Sequence, residues 1–413
     1  MDCNNFYASC ERLFNPKLEK KPIVVLSNND GCVIARSNEA KQLGIKMGDP
    51  FFKIKNFCSY NDVKVCSSNY ALYGDLSQRV MSILNEHASS IEVYSIDEAF
   101  LSFPLTMPLK EVLEKCKFLR ETIKQWIGLP VSFGIGPTKT LAKTANHCAK
   151  KMNDGIFELI SPQAQDEILK KTPVSDIWGV GAGSTPKLQA LGIFSAWDLK
   201  EAEPMQVRRK LGVVGERIIW ELRGVSCLAL EEPEARKNIA CSRSFGKPIT
   251  SLEELSEAIS TYVNTACIKL RKQKSCASAI YVYTEAMTDD YGGKRDCRSA
   301  SLPLPLATND TPQLIAAAKR CLKKLFWKGE RYAKCGVILV DLIPETRVEQ
   351  DLFTPREDPK RKPLLKAVDQ INSQYGKKTI FYAAMGINPV WIVRADWRSP
   401  AYTTCWKDLA LVR

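Results

Sequence analysis

The stretch from residue 91 to residue 103, IEVYSIDEAFLSF, contains two β-rich runs separated by the adjacent acids Asp97 and Glu98. Val, Ile, Tyr and Phe are enriched in strands, so this stretch predicts a β-hairpin whose turn carries both carboxylates. Asn-Gly or Asp-Gly is the usual choice in such a turn. The turn alone therefore does not explain why two acids stand at these positions.

The segments around this hairpin predict a ferredoxin-like domain. Apolar residues recur at helical spacing over 70–87 and again over 112–127, and VSFGIG at 131–136 is typical of a strand. If the apolar opening at 3–8 is a further strand, the order becomes β-α-β-β-α-β. Residues 11–69 then form an inserted lobe.

The inserted lobe is predicted to contain a second hairpin. Two β-rich runs between 23 and 37, IVVLS and CVIARS, flank the turn sequence NNDG. A short helix is expected next, with Ser37 or Asn38 as its N-cap and Lys41 on it.

The second half of the chain predicts helices followed by another α/β domain. IWGVGAGSTPKLQALGI at 177–193 sets two glycines between predicted helices, either a phosphate-facing turn or a plain helix-helix turn. The polar stretch 231–237 is typical of a linker. Residues 241–345 repeat the β-α-β-β-α-β order, and the last 70 residues lack a clear core pattern and predict a partly ordered docking tail.

The composition excludes several classes of protein. The 413 residues are 45% hydrophobic and suggest roughly two to four domains. No apolar run reaches the roughly 18 residues of a membrane span, and the N-terminus lacks a signal peptide, so a cytoplasmic location is expected. Fifteen scattered cysteines and two histidines argue against a zinc site. The net charge of +13 indicates either a polyanionic partner or a solvated basic surface.

The two acids of the first hairpin raise the question of what neutralises them. A bound divalent cation is one physical answer, and a solvated acidic turn is the other. A ferredoxin-like sheet places its first strand beside its third, so Asp2 would join Asp97 and Glu98. Three carboxylates could hold two cations that align a 3′-hydroxyl with an α-phosphate and stabilise the leaving pyrophosphate.

Ordered blocks along the whole chain resemble the Y-family translesion DNA polymerases, in particular their UmuC-like branch. The blocks are DCNNFYASCE at 2–11, VVLSNNDGCVIARSNEAKQLGIKMGDP at 24–50, SSNYALYGDLSQRVMS at 67–82, YSIDEAF at 94–100, GPTKTLAKTANHCAKK at 136–151, IWGVG at 177–181, CSRSFG at 241–246 and SPAYTT at 399–404. The resemblance implies an α+β multidomain, right-hand polymerase that performs error-prone translesion synthesis in the DNA-damage (SOS) response.

The same resemblance implies a division of the chain into domains. They are a ferredoxin-like palm at 1–10 and 69–165, small fingers at 11–68, a helix-hairpin-helix thumb at 166–230, a linker at 231–240, an α/β little finger at 241–345 and a partner-docking tail at 346–413.

The resemblance also implies the roles of individual residues. Asp2, Asp97 and Glu98, with the main-chain carbonyl of Cys3, would bind two Mg²⁺ ions. Tyr7 would be a steric gate beneath the incoming sugar that excludes ribonucleotides. The residues expected to contact the incoming nucleotide are Cys3, Phe6, Tyr7, Asn38, Lys41 and Lys150, and those expected to contact DNA are Gly179, Gly181 and Arg243. At position 38 some relatives carry a phosphate-contacting Tyr instead.

Partners are also implied by the resemblance. They are primer-template DNA with a deoxynucleotide, a dimer of processed UmuD, the RecA filament and the sliding clamp. Residues 349–353, EQDLF, stand where the clamp-binding peptide occurs, but Glu replaces its leading Gln and Gln its following Leu. This predicts a weakened clamp contact through Gln350, Leu352 and Phe353.

The N-terminus departs from the family pattern. Only Met1 precedes Asp2, whereas relatives carry several apolar residues there, which predicts a clipped opening strand and a misassigned start or a shortened isoform. A charged α-amino group would also compete with cations at Asp2. A catalytically impaired DNA-binding regulator is therefore the alternative interpretation. A generic single-strand-binding protein is a third, which explains neither the acids nor Tyr7.

Overall fold

The computed structural model describes two units of the chain, each treated separately below. The described residues are 1–104, 106–152, 154–231, 235–287, 295–348, 360–376, 378–387, 389, 391 and 393–409. Unit 1 comprises Met1–Ser27, Gly31–Pro233 and Trp397–Arg413, and unit 2 comprises Asn28–Asp30 and Glu234–Asp396.

Unit 1 contains short strands and longer helices. Its strands are β1 (Asp2–Cys3), β2 (Ile23–Leu26), β3 (Val33–Arg36), β4 (Lys64–Ser67), β5 (Ser90–Val93), β6 (Ala99–Ser102), β7 (Val131–Ile135) and β8 (Ile156–Glu158). Its helices are α1 (Phe6–Leu13), α2 (Asn38–Gln42), α3 (Phe51–Tyr60), α4 (Tyr70–His87), α5 (Leu109–Trp126), α6 (Lys139–Ala149), α7 (Pro162–Lys171), α8 (Thr185–Gln189), α9 (Ala196–Glu201) and α10 (Pro204–Leu222).

The N-terminal strand β1 lies between two other strands. Asp2 pairs with Ser132 of β7 in antiparallel register, and it also forms an antiparallel bridge with Glu98, next to β6. On the outer sides, β5 pairs with β6 and β8 runs parallel to β7. The first and third strands of the β-α-β-β-α-β unit are thus neighbours, which confirms the predicted ferredoxin-like arrangement.

Helices α4 and α5 bury the core of this domain. Leu72, Leu76, Val80 and Leu84 recur every four residues along α4, and each is at most 2% exposed. Burial of such a side chain contributes about 1.5 to 3 kcal/mol, so one stripe accounts for much of the attachment of the helix. The helical periodicity in the sequence therefore predicted both the helix and its buried face.

The predicted opening strand at 3–8 is wrong beyond Cys3. Asn5 adopts a left-handed conformation with φ of 49° and turns the chain, and α1 begins at Phe6. Phe6 and Cys10, four residues apart, are both buried, which is the helical rather than the strand period. Tyr7 consequently lies on a helix.

The inserted lobe has its own sheet and core. β2 pairs antiparallel with β3 and parallel with β4. The Ser37 hydroxyl accepts a hydrogen bond from the Ala40 N–H at 3.4 Å and caps α2. The predicted hairpin and the predicted cap are both confirmed. One cluster of buried apolar side chains in this lobe consists of Val24, Leu26, Val33, Ala40, Ile45, Phe51, Cys58 and Val63.

Unit 2 is built on one four-stranded antiparallel sheet. Its elements are β9 (Ile239–Ile249), α11 (Leu252–Lys272), β10 (Ser275–Met287), β11 (Arg295–Thr308), α12 (Thr311–Leu325), β12 (Tyr332–Pro344) and α13 (Arg361–Gln374). The strand order is β11-β10-β12-β9, which confirms the second predicted β-α-β-β-α-β repeat. β9 begins inside the predicted 231–240 linker.

Some described residues of the tail pack against the second α/β domain, and the prediction of a partly ordered docking tail stays a prediction. The Arg271 guanidinium of α11 forms two hydrogen bonds, 2.7 and 2.9 Å long, with the Asp369 carboxylate of α13. Trp391 is 6% exposed, and its ring packs edge-on against Tyr262. Aromatic residues that follow no helical or strand period can still be buried individually, which is why their pattern was uninformative.

The length and polarity of the helices bear on membrane insertion. Among the helices of the described residues, none combines enough length with enough apolar character to cross a membrane.

Gly134 lies where β7 approaches the backbone of α6. A Cβ at this position would stand 2.1 Å from Asn146 N and 2.3 Å from Ala142 O. The backbone atoms of a helix cannot shift to relieve such a clash, as the end of a flexible side chain can. We therefore expect Gly134→Ala to lower the free energy of unfolding by about 2 to 3 kcal/mol in urea denaturation. Gly183→Ala is the matched control, because a Cβ there meets no described atom within 4 Å; equal losses in the two variants would contradict the close approach.

Candidate active site

The backbone of β1 brings the chain's N-terminus to the turn at 97–98. The Cys3 N–H donates a hydrogen bond to the Asp97 carbonyl at 2.8 Å, and the Met1 amino group donates to the Ala99 carbonyl at 2.9 Å. Asp2, between them, bridges to Glu98. The predicted neighbourhood of Asp2 and the acidic turn is therefore observed.

The carboxyl groups of Asp2 and Glu98 share a hydrogen bond. Burial, followed by this hydrogen bond, raises the pKa of Asp2 to about 6. Burial opposes ionisation of Glu98 as well, but hydrogen bonds from Asp2 and Lys143 hold the pKa of Glu98 below its ordinary value. Asp2 thus holds the shared proton more readily, as expected for two close acids that cannot both ionise freely.

Two lysines of the segment 139–150 neutralise these acids. Lys143 Nζ lies 2.5 Å from Glu98 Oε1, and Lys150 Nζ lies 2.7 Å from Asp2 Oδ2. Sequence reasoning assigned Lys150 to the triphosphate and missed Lys143. A signal for Lys143 was available, because Lys139 and Lys143 are four residues apart and share one face of the predicted helix.

The donor set suits a hard divalent cation, although the acids are not gathered around one point. Asp97 Oδ1 accepts a hydrogen bond from the Ser95 hydroxyl at 2.7 Å. Within the described part of the chain, no group of three or more His, Cys, Asp or Glu side chains is arranged to hold a metal ion. Burial raises the pKa of the Cys3 thiol, so that residue can offer its carbonyl oxygen and not a thiolate. Carboxylate and carbonyl oxygens are the ligands that Mg²⁺ prefers.

A polar cluster forms where α1 meets α2. Lys41 Nζ donates to Asn5 Oδ1 at 2.6 Å, and Asn5 Nδ2 donates to Asn38 Oδ1 at 2.9 Å. Burial, with the nearby charges of Arg36 and Lys150, lowers the pKa of Lys41. Three cations therefore lie close enough to repel one another, which favours binding of a polyanion. Asn5 and Arg36 were missed, and only the family blocks that contain them could have indicated them.

The ring of Tyr7 is held by two other tyrosines. It stacks on Tyr73, with ring centres 4.4 Å apart and planes 17° apart, and it meets Tyr70 edge-on at 6.1 Å. The ring of its neighbour Phe6 is only 3% exposed and lies in the core. The proposed nucleotide contacts of Tyr7 and Phe6 stay predictions.

Comparisons with known proteins place the chain in a family. Residues 1–147 match the model of the impB/mucB/samB family and residues 236–352 that of the family's C-terminal domain. Protein UmuC of Salmonella typhimurium is 41% identical over 423 residues, which cover 100% of this chain and 99% of that protein. The chain belongs to the impB/mucB/samB family.

Other relatives of this impB/mucB/samB protein include enzymes. Protein MucB of Escherichia coli is 35% identical, with 100% of this chain and 98% of that protein covered. DNA polymerase IV 1 of Bacillus subtilis is 28% identical, with 92% and 91% covered. A Y-family DNA polymerase chimera of Dbh and Dpo4 has the same fold, with a TM-score of 0.68, 22% identity and coverage of 83% and 98%. The protein is a UmuC-like Y-family enzyme, a DNA-directed DNA polymerase.

The three residues predicted to contact DNA lie in the helix-hairpin-helix region and in unit 2. Residues 162–193 match the family's helix-hairpin-helix motif and include Gly179 and Gly181. Gly179 has a φ of 92°, a conformation that favours glycine, and the Gly181 carbonyl accepts a hydrogen bond from Ser184 N–H at 2.9 Å. Arg243 is exposed on β9.

The proposed clamp-binding peptide spans residues 349–353. Gln350, Leu352 and Phe353 lie outside the described residues. Residues 362–412 match a domain of unknown function (DUF4113), so the tail has no role assigned by the comparisons.

Proposed function

We propose that the chain carries out error-prone translesion DNA synthesis, the template-directed addition of deoxynucleotides to a primer 3′ end, in the DNA-damage (SOS) response. The observation that supports it best is the convergence of Asp2 and Glu98 from neighbouring strands with Lys150 and Lys41 nearby. Acids that can hold cations and lysines that can bind phosphates are the two parts that nucleotidyl transfer requires.

Two Mg²⁺ ions are the proposed cofactor. Asp2, Asp97, Glu98 and the Cys3 carbonyl would hold them, and bound cations supply charge stabilisation at the α-phosphate and at the leaving pyrophosphate. Lys143 and Lys150 neutralise two of these acids in the structure. Their mobile ammonium groups can move to phosphate oxygens, because lysine carries its charge on a flexible four-carbon chain.

Nucleotide selection is assigned to residues of α1 and α2 and to Asn5. Tyr7 would collide with a 2′-hydroxyl on the incoming sugar, and Asn5, Asn38 and Lys41 would contact its phosphates. The duplex would be held through backbone contacts at Gly179 and Gly181 and through Arg243, none of which reads the base sequence. That mode of binding suits an enzyme that must accept damaged templates.

The proposed partners are inferred from the similarity to the relatives. UmuC is the name of a relative that shares 41% identity, and a dimer of processed UmuD and the RecA filament are proposed on that basis. One structural neighbour, the insertion ternary complex of Dbh DNA polymerase, matches with a TM-score of 0.53; primer-template DNA and a deoxynucleotide are proposed as the substrates here. A sliding-clamp contact at 349–353 is proposed as weak.

Lys41→Gln is expected to raise the KM for the incoming deoxynucleotide about tenfold, with a smaller effect on kcat, because one charged contact to phosphate is lost. Steady-state single-nucleotide insertion measures both parameters. Lys46→Gln, an exposed lysine of the same lobe, is the control for net charge. Equal KM values in the two variants would remove Lys41 from the nucleotide site.

Primer extension tests the proposed function directly. The purified chain is given a labelled primer on an undamaged template or on one with an abasic site, with Mg²⁺ or with EDTA. We expect Mg²⁺-dependent extension that passes the abasic site and stops completely with EDTA. Extension that persists with EDTA would refute the metal assignment.

The second candidate is a catalytically impaired DNA-binding regulator. It is favoured by the ion pairs that engage Asp2 with Lys150 and Glu98 with Lys143. Template binding without any extension, in Mg²⁺ or Mn²⁺ and with all partners added, would support this function instead.

A further inference from the structure

The C-terminal segment 397–402 lies against the edge of β4. Arg398 forms a parallel bridge with Ser67, and the Ser67 N–H donates to the Trp397 carbonyl at 3.0 Å. In return, the Trp397 N–H donates to the Ser67 hydroxyl at 3.0 Å. The indole ring packs edge-on against Phe51, with ring centres 5.1 Å apart. These contacts hold the segment like an added strand.

A fully buried asparagine connects this segment to the start of α4. Asn69 Nδ2 lies within hydrogen-bond distance of the Ser399 carbonyl (3.2 Å), the Ser399 hydroxyl (3.0 Å) and the Pro400 carbonyl (3.2 Å). Its Oδ1 accepts from the Leu72 N–H and caps α4. The segment therefore fixes the first turn of the helix that carries Tyr73.

A buried carboxylate continues the connection towards Tyr7. Glu11 is 3% exposed, and its Oε1 accepts hydrogen bonds from the Tyr73 hydroxyl at 2.6 Å and from the Ser399 hydroxyl at 3.1 Å. The ring of Tyr73 is the surface on which Tyr7 stacks. An unbroken series of contacts thus leads from Ser399 through Glu11 and Tyr73 to Tyr7.

We propose that the segment 397–402, within the match to a domain of unknown function, positions the ring of Tyr7 and so sets the discrimination between deoxyribonucleotides and ribonucleotides. Ser399 is the positioning residue. It acts through Glu11, because the hydroxyls of Ser399 and Tyr73 both donate hydrogen bonds to the same carboxylate oxygen of Glu11. The inference rests on the proposed role of Tyr7 as the sugar gate. A hydrogen bond to a buried carboxylate is well suited to this task, because losing it leaves that carboxylate under-satisfied.

Ser399→Ala tests the proposal in the full chain. The readout is the ratio of kcat/KM for a deoxynucleotide to kcat/KM for the matching ribonucleotide. We expect this ratio to fall about three- to tenfold, mainly because the ribonucleotide is inserted better. Ser399→Thr keeps the hydroxyl and is expected to restore the ratio. Ser102→Ala, which removes an exposed hydroxyl paired with Ser90, is the control and should leave the ratio unchanged.

Tyr7→Ala is measured alongside to separate the two ideas. If it leaves the ratio unchanged, the gate itself is refuted and the positioning role with it. If Tyr7→Ala lowers the ratio but Ser399→Ala does not, the gate stands and the positioning role is overturned. If Ser399→Ala slows the insertion of deoxyribonucleotides and of ribonucleotides by the same factor, Ser399 has only a structural role, and the proposal is overturned.

Discussion

Asp97→Ala is expected to lower the rate of primer extension by about a thousandfold or more, several kcal/mol in activation free energy, because one of the proposed cation ligands is removed. Folding should be little affected. The Asp97 side chain accepts a hydrogen bond from Ser95, whereas β1 is attached to this turn through the Asp97 backbone carbonyl. Single-turnover primer extension with saturating deoxynucleotide measures the rate.

The control for this substitution is Asp75→Ala. Asp75 lies on α4 and forms an ion pair with Arg79, four residues along the helix, and loss of such a pair costs only about 0.3 to 0.5 kcal/mol. Both variants remove one carboxylate, but only one changes the proposed site. Incorporation that survives Asp97→Ala at the rate of the control would refute the two-metal assignment.

The convergence of Asp2 with the acidic turn was predictable because it follows from topology. Strand and helix periods indicate the β-α-β-β-α-β order, and in that order the first strand must lie beside the third. The bridge between Asp2 and Glu98 is the result. The caps and hairpins were predictable for a related reason, since Ser37 and the turn at 97–98 act on their immediate neighbours in the chain.

Contacts between distant side chains were not predictable in this way. Lys143 reaches Glu98 across 45 residues, and Ser399 reaches Glu11 across 388. No local period records such pairs. The change from strand to helix at Asn5 was not predicted either. A left-handed asparagine turns the chain there, within a run whose apolar content suits either a strand or a helix.

A short apolar extension ahead of Met1 is the second large effect that we expect. A cavity of about 600 Å³ lies next to Met1, with β6 on one side and β7 on the other. Its walls include Phe100, Leu101, Val112 and Cys116. By the register of β1, the residue placed before Met1 would face Phe100 of β6 and Gly134 of β7. The gap is therefore one strand wide.

Adding Met-Val-Leu before Met1 should raise the free energy of unfolding by about 3 kcal/mol, because each aliphatic side chain that enters the cavity contributes about 1.5 to 3 kcal/mol. The change also replaces the buried amino group of Met1, whose pKa burial lowers, with a neutral amide. That amide can keep the 2.9 Å hydrogen bond to the Ala99 carbonyl as part of a strand pair. Urea denaturation and the thermal midpoint measure the gain.

An extension of equal length with Met-Asp-Ser separates burial from added length. It offers the same backbone hydrogen bonds but adds neither the Val nor the Leu side chain to the cavity, so it should not stabilise the chain as the apolar extension does. Equal stability of the two extended chains would contradict the prediction that β1 can be lengthened into the cavity. Primer extension by both chains then connects stability with chemistry. Because β1 carries Asp2, an apolar extension that raises activity together with stability would favour the polymerase over the catalytically impaired regulator.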